Sequence, residues 1–136
     1  MTTPDSIATA LRSHAEGSYC LAAAAELLIA QDWLDRADFT SRFITLHRSP
    51  GSDTPMAVIN WPAAVPALGS SLPCSGGEQR MLMITASLAD GIPVDLRDAI
   101  TGLDEDNTAR LLVAIRHAAG KRPATWRARK PGPTPW

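Results

Sequence analysis

The sequence predicts an all-α fold, or nearly so, in the form of a compact bundle of five or six short helices. Two observations carry this prediction: apolar residues recur at intervals of three and four, and residues that start or stop helices flank those segments. A third observation concerns the core, because 45% of the residues are hydrophobic but only 5% are aromatic. The core must therefore consist mainly of Ala, Leu, Ile, Val and Met side chains, which let helices pack closely.

The clearest helix begins near Gly76. Ser75 precedes Glu78 by three residues, which is the spacing of a capping box. In that motif the hydroxyl accepts the amide of the third helical residue, and the carboxylate binds the amide of the capping residue. Gly91 and Pro93 are placed to end this helix. The spacing predicts a wide buried stripe made of Met81, Ile84, Thr85 and Leu88, with Leu82, Ala86 and Ala89 beside it.

Two further helices follow in the sequence. A short amphipathic helix or turn is predicted over 94–100, ended by Gly102, and a last helix over about 105–119. Acidic residues at the start of the last helix suit the helix dipole, and Gly120 is placed as its C-terminal cap. The predicted buried face of this helix comprises Thr108, Leu111, Leu112, Ile115 and Ala119, with Val113 and Ala114 on the flanks and Arg110 and Arg116 outside.

The N-terminal segment predicts two helices, of which the second is central. Pro4 stands in the first turn of a short opening helix that is interrupted near Gly17, and Ser18 can cap the next helix. That second helix, over 19–31, is apolar almost all round. Such a pattern is typical of a helix buried in the middle of a core.

The middle of the chain is more irregular. Asp35 or Asp38 is expected to cap a third helix that presents Phe39, Phe43, Ile44 and Leu46 to the rest of the fold. Residues 49–55 are rich in Pro, Gly and Ser and predict a loop, 56–59 are short and β-prone, and Asn60 is expected to cap a further short helix. The large aromatic side chains are interpreted as core rather than as an exposed patch: Trp33, Phe43 and Trp61.

Length and charge indicate one helical domain over 1–120 and a basic tail over 121–136. The domain holds eight Lys and Arg against fourteen Asp and Glu, a net charge of −6. The tail holds five Lys and Arg, four Pro and no acidic residue, and its apolar residues have no period. We therefore expect the tail to be disordered and flexible.

Compartment and cofactor chemistry are also constrained by the sequence. Cys20 and Cys74 lie far apart, and the first residues lack the positive start and apolar core of a secretory signal, which favours reduced, buried thiols in a cytoplasmic protein. The longest apolar run is broken by Glu26 and is too short to span a bilayer, so no membrane association is expected. No cofactor is expected.

No catalytic or metal-binding constellation is evident in the sequence. His14, His47 and His117 are scattered, and neither a Cys-x-x-Cys nor a His-Glu-x-x-His motif occurs. The acids at 104–106 are explained by capping and by the helix dipole rather than by proton transfer. The serines lack the Gly-x-Ser-x-Gly context of a nucleophile elbow, so we predict that the protein is not an enzyme.

The segment Ser75-Gly76-Gly77-Glu78-Gln79-Arg80 resembles the signature motif of ABC-type ATPases, and Thr101-Gly102-Leu103-Asp104 resembles their D-loop. In that family the signature presents a serine, backbone amides and a helix start to the nucleotide of the opposite subunit. Residues 94–98 depart from the family, because Arg97 stands where the metal-binding acid belongs. No Gly-x-x-x-x-Gly-Lys-Ser/Thr sequence occurs either, so the resemblance does not imply a self-sufficient ATPase.

A broader resemblance is to a family of small uncharacterised proteins of high-GC Gram-positive bacteria. It runs from about residue 22 to residue 120 and leaves out the tail. This resemblance implies no biochemical activity. The segments that carry it are 23–30, 33–39, 60–64, 72–75 and 86–104.

These observations predict a non-enzymatic module or adaptor that binds another protein. The binding residues expected at the exposed helix start are Ser75, Gly76, Gly77, Glu78 and Arg80. The alternative is a nucleic-acid-associated accessory protein in which basic residues neutralise phosphates and an indole stacks on a base. The tail residues expected to do so are Lys121, Arg122, Trp126, Arg127, Arg129 and Lys130. A third hypothesis is an enzyme whose site is completed by a partner chain.

Overall fold

A computed structural model describes residues 3–48, 50–51 and 53–121. In this part of the chain the fold is mostly helical, with one small sheet. The elements in order are helices α1 (Pro4–His14) and α2 (Tyr19–Ala30), a 3₁₀ turn (Trp33–Asp35), helix α3 (Ala37–Phe43), strands β1 (Ile44–His47) and β2 (Met56–Ile59), and helices α4 (Trp61–Ala67), α5 (Gly76–Asp90), α6 (Leu96–Thr101) and α7 (Glu105–Ala118).

Most helices begin where local sequence signals predict. Ser18 caps α2, because its hydroxyl accepts the amide of Leu21 at 3.2 Å. Asn60 caps α4 in the same way through the amide of Ala63. α3 differs, since it begins after Arg36 without a side-chain cap, and the prediction of an Asp35 or Asp38 cap is wrong. Asp38 instead lies in the first turn and accepts two hydrogen bonds from Arg36.

The described residues form seven α-helices, rather than the predicted five or six, and the small sheet makes the fold nearly but not strictly all-α. β1 and β2 pair antiparallel, with Ile44 opposite Ile59 and His47 opposite Met56. The β-prone character of 56–59 is confirmed, but the third helix ends at Phe43 and does not continue through Leu46. The β-branched Ile44 and Thr45 favour an extended backbone once a partner strand supplies hydrogen bonds. Leu46, which was expected to face the core, is 40% exposed.

The core consists of two clusters of buried side chains that share α2 and α5. The larger cluster joins these helices to α1, α3, β2 and α4. The smaller cluster joins the same two helices to α6 and α7. α2 supplies Ala25 and Leu28 to the larger cluster, and Ala23 and Leu27 to the smaller one. The prediction that α2 is the central helix is therefore confirmed.

Aromatic rings fill the middle of the larger cluster. Phe39 is fully buried, and its ring centroid lies 5.2 Å from that of Trp33, 5.8 Å from that of Phe43 and 6.4 Å from that of Trp61. Tilted aromatic pairs at such separations are favourable beyond their buried area. The prediction that Trp33, Phe43 and Trp61 belong to the core is confirmed, since each is at most 6% exposed.

The sequence predicted reduced, buried thiols and no membrane association. Both thiols are free, but the expected burial is wrong for Cys20, which is exposed, and Cys74 is half-buried. Cys20 lies at the start of α2, where the helix has not yet entered the core. None of the helices in the described ranges combines the length and the apolar character that a membrane span requires.

Candidate functional site

The start of α5 has the capping-box geometry expected from its sequence. The Ser75 hydroxyl accepts the backbone N–H of Glu78 at 3.1 Å, and Glu78 Oε1 accepts the backbone N–H of Ser75 at 2.9 Å. Both residues are exposed. Since each side chain binds the backbone of the other residue, both serve the helix end directly.

The segments 75–80 and 101–104 lie side by side in the fold. Arg80 is half-buried, and its guanidinium lies so close to Gly102 that a Cβ there would be 2.5 Å from Nη1. A Cβ on Gly77 would lie 3.8 Å from the side-chain nitrogen of Asn107 in the first turn of α7, and Gly76 is exposed. The start of α5 therefore supports the turn that leads into α7. Binding by these residues stays a prediction.

Of the predicted nucleic-acid-binding residues, the structure describes only Lys121, which is exposed just beyond α7. Nucleic-acid binding through the tail stays a prediction. The residues that lie outside the described part of the chain are Arg122, Trp126, Arg127, Arg129 and Lys130.

An exposed apolar stripe on α7 was not recognised from the sequence. Leu112 and Ile115 are 59% and 46% exposed, and Thr108 and Ala119 are also exposed. These residues follow one another at intervals of four, three and four, so they lie on one face of the helix. We call these four residues the α7 stripe. The sequence predicted that these four residues are buried together with Leu111. For the four residues of the stripe that prediction is wrong.

The buried face of α7 is narrower than the sequence predicted, and it points away from the stripe. Leu111 and Ala114 are each 5% exposed and pack against Ala23 and Leu27 of α2 in the smaller cluster. Val113, 61% exposed, lies on the opposite flank from Ile115. Because α7 carries more apolar residues than one packing face can hold, periodicity alone could not show which of its faces meets α2.

The two ends of α7 carry opposite charge. Asp104 caps the helix through the amide of Asn107, and Glu105 and Asp106 occupy its first turn. The other end carries Arg116 in the last turn and Lys121 just beyond. Both ends follow the preference of the helix dipole for acids at the N-terminus and cations at the C-terminus.

Gly120 fixes the end of α7. It has φ +76°, and its N–H donates to the carbonyl of His117 while the N–H of Lys121 donates to that of Arg116, both at 2.9 Å. This pair of bonds is a Schellman motif, in which glycine adopts the left-handed conformation with little strain. The predicted C-terminal cap is confirmed, and the stripe ends at a defined point.

A groove between α2 and α7 lies on the other flank of the helix. It has a volume of about 290 Å³. Its lining combines small and apolar side chains with three polar or charged ones: Ala23, Leu27, Ala30, Val113 and Ala114, and Glu26, Arg110 and His117. Glu26 and His117 also border an adjoining depression of about 700 Å³ near Tyr19. The groove therefore passes from an apolar part into a charged part.

The charged part of this groove is organised by an ion pair. Arg12 Nε donates to Glu26 Oε2 at 2.7 Å, and Arg12 Nη2 donates to Oε1 at 3.0 Å. The hydrogen bond from Arg12 is the main cause that lowers the pKa of Glu26, with a smaller contribution from the charge of His117. An ionised carboxylate already bound to an arginine is poorly suited to proton transfer near neutral pH. The pair is interpreted as structural.

Neither a metal site nor a comparison with known proteins assigns a function to these residues. Within residues 3–48, 50–51 and 53–121, no group of three or more His, Cys, Asp or Glu side chains is arranged to hold a metal ion. No protein-family model matches the sequence, and no curated protein and no solved structure matches the chain.

Proposed function

We propose that this protein is a non-enzymatic, cytoplasmic interaction module that binds another protein through the α7 stripe. The observation that carries the proposal is the exposure of Leu112 and Ile115, at 59% and 46%, on one helix face. Large apolar side chains at helical spacing are the usual anchors of helix-to-helix recognition.

The α7 stripe can contribute useful binding energy. Complete burial of a Leu or Ile side chain is worth about 1.5–3 kcal/mol. Leu112 and Ile115 are each roughly half exposed, so covering them yields about 1 kcal/mol each. Thr108 and Ala119 extend the contact at little cost in side-chain entropy. These contributions suit a modest, reversible interaction rather than an obligate one.

The charges at the two ends of α7 define the chemistry of the partner. An amphipathic helix that lies antiparallel on the stripe places its own C-terminal end beside Glu105 and Asp106. Basic residues at that end, and acidic residues at the partner's N-terminus, are electrostatically complementary to α7. We therefore propose that the partner segment is an amphipathic helix with an acidic start, an apolar stripe and a basic end.

The start of α5 contributes indirectly to this proposal. Arg80 packs on Gly102 in the turn before α7, and Gly77 lies close to Asn107 in its first turn. These contacts hold the acidic end of α7 in place. Substitutions there are expected to act on the orientation of α7, without loss of a direct contact to the partner.

The test compares two variants that carry the same new charge on different faces of α7. Leu112→Asp places a carboxylate on the stripe, and Val113→Asp places one at a position of nearly equal exposure, 61% against 59%, on the opposite flank. Proteins captured from a host lysate by the wild-type chain are identified by mass spectrometry, purified and titrated against each variant by calorimetry. We expect Leu112→Asp to weaken binding at least about 10-fold, equivalent to about 1.4 kcal/mol.

The control variant separates an effect of the α7 stripe from a general effect of a new charge on α7. Val113→Asp is expected to retain the affinity of the wild type. Equal loss in both variants, or no loss in either, refutes the assignment of the α7 stripe as the binding surface. Circular dichroism of both variants establishes that α7 remains helical.

A further inference from the structure

We infer that α7 of a second copy of this chain occupies the α7 stripe, and that the two helices form an antiparallel pair about a two-fold axis. This inference rests on the proposed function, because it names the partner of the same surface. It follows from the observation that α7 itself has the features required of the partner helix: an acidic first turn, an apolar stripe and a basic end.

The stripe is complementary to itself in the antiparallel orientation. Two copies of α7 can be placed antiparallel so that Leu112 of the first lies opposite Ile115 of the second. The two-fold axis then places Ile115 of the first opposite Leu112 of the second. The same register places Thr108 opposite Ala119. Every member of the stripe then meets another member, as an interface between identical surfaces requires. The larger side chains meet in the middle of the pair, and the smaller residues lie at its two ends.

Charge selects the antiparallel orientation. In the register above, the acidic first turn of one copy lies beside the end of the other copy that carries Arg116 and Lys121. The two helix dipoles also run in opposite directions. A parallel pair would instead place the acids at 104–106 of both copies together, which is repulsive. The full chain has a net charge of only −1, so overall repulsion between copies is small at neutral pH.

The size of the surface predicts a reversible dimer. α7 has 14 residues and is therefore about 21 Å long. A contact made by one helix of this length is smaller than the roughly 800 Å² per partner of a standard stable interface. We therefore expect a monomer–dimer equilibrium with a dissociation constant in the micromolar range or above, with monomer dominant in dilute solution.

Sedimentation equilibrium of the full chain tests the inference across the micromolar and low millimolar ranges. The wild type is expected to change from monomer to dimer as concentration rises, and Val113→Asp is expected to do the same. Leu112→Asp places two carboxylates in the middle of the pair, so we expect its dissociation constant to rise at least about 10-fold. A wild type that stays monomeric throughout, or a dimer that Leu112→Asp leaves intact, overturns the inference.

Orientation is tested by disulfide trapping in a Cys20→Ser background, because Cys20 is an exposed thiol. Chains that carry Leu112→Cys are mixed with differently tagged chains that carry Ile115→Cys, and disulfides form under mild oxidation. The antiparallel pair predicts that disulfides between unlike chains predominate. Predominant disulfides between like chains indicate a parallel pair and overturn the inference.

The two proposals fail in different ways. If the wild type is monomeric, but a purified different protein binds it and loses affinity with Leu112→Asp alone, the inference is overturned and the proposed function stands. If neither self-association nor binding of another protein depends on Leu112, both are overturned. If dimerisation depends on Leu112 and unlike-chain disulfides predominate, the inference is supported, and so is the assignment of the α7 stripe as a protein-binding surface.

Discussion

The capping box at the start of α5 provides a direct measure of what Ser75 does. Ser75→Ala removes the acceptor of the Glu78 N–H, a hydrogen bond of 3.1 Å, and leaves that exposed amide to water. Loss of a helix N-cap costs about 1 kcal/mol. For a domain of this size, that change lowers the melting temperature by about 4 °C. The loss should affect global unfolding, because α5 contributes to both core clusters.

Ser75→Asn is the matched variant for this prediction. Asn caps helices about as well as Ser, but it lacks a hydroxyl donor. If Ser75 acts as a cap, Ser75→Asn should unfold within about 0.5 kcal/mol of the wild type in urea denaturation, while Ser75→Ala is less stable by about 1 kcal/mol. Equal destabilisation in the two variants would refute the capping argument, because it would show that the hydroxyl itself is required.

Three other substitutions test the surface and the core. Glu26→Gln should lower the free energy of unfolding by about 0.5 kcal/mol at neutral pH, measured by urea denaturation. Because the hydrogen bond from Arg12 lowers the folded pKa of Glu26, this loss is present above the ordinary Glu pKa of about 4.5 and disappears as the pH falls through the lowered pKa. Thr85→Val should change stability by less than about 1 kcal/mol in thermal unfolding, since the Thr85 hydroxyl donates only to the Met81 carbonyl, which already belongs to a helix. A loss above about 2 kcal/mol would contradict this. Phe39→Ala should cost about 3–5 kcal/mol in urea denaturation, and a loss below about 1.5 kcal/mol would mean that the aromatic cluster can collapse around the missing ring.

Helix boundaries could be predicted from sequence because they depend on local chemistry. The Ser75–Glu78 box needs only four consecutive residues, and Gly91 ends α5 with φ +68°. Ser18 and Asn60 cap their helices through amides three residues away. Such signals are contained within one turn of helix, so they do not depend on contacts with the rest of the chain.

The strand at Ile44–His47 could not be predicted in the same way. Its hydrogen-bond partners lie at 56–59, beyond a loop rich in Pro and Gly, so its stability depends on a pairing distant in sequence. Read alone, Ile44 and Leu46 continue the apolar spacing of Phe39 and Phe43. Only the antiparallel partner distinguishes a strand from a further helical turn at this point.

The α7 stripe could be located from sequence, but its exposure could not. Periodicity correctly identified Leu112 and Ile115 as members of one helix face. The helix packs instead through Leu111 and Ala114, because these residues face α2. Small side chains on both helices allow this close packing. A sequence signal did exist, since apolar residues fill 111–115 without interruption and leave more apolar surface than one neighbour can cover.

The division of the core into two clusters has a consequence for local unfolding. α6 and α7 are held by the smaller cluster, to which they contribute three buried side chains, Ala99, Leu111 and Ala114. The aromatic cluster lies on the other side of α2 and α5. We therefore expect residues 94–121 to open at a lower free energy than global unfolding and to expose their amides to hydrogen exchange while the rest stays folded. If a partner binds α7 as proposed, we expect it to raise that opening free energy and to slow exchange throughout α7, including amides that the partner never touches.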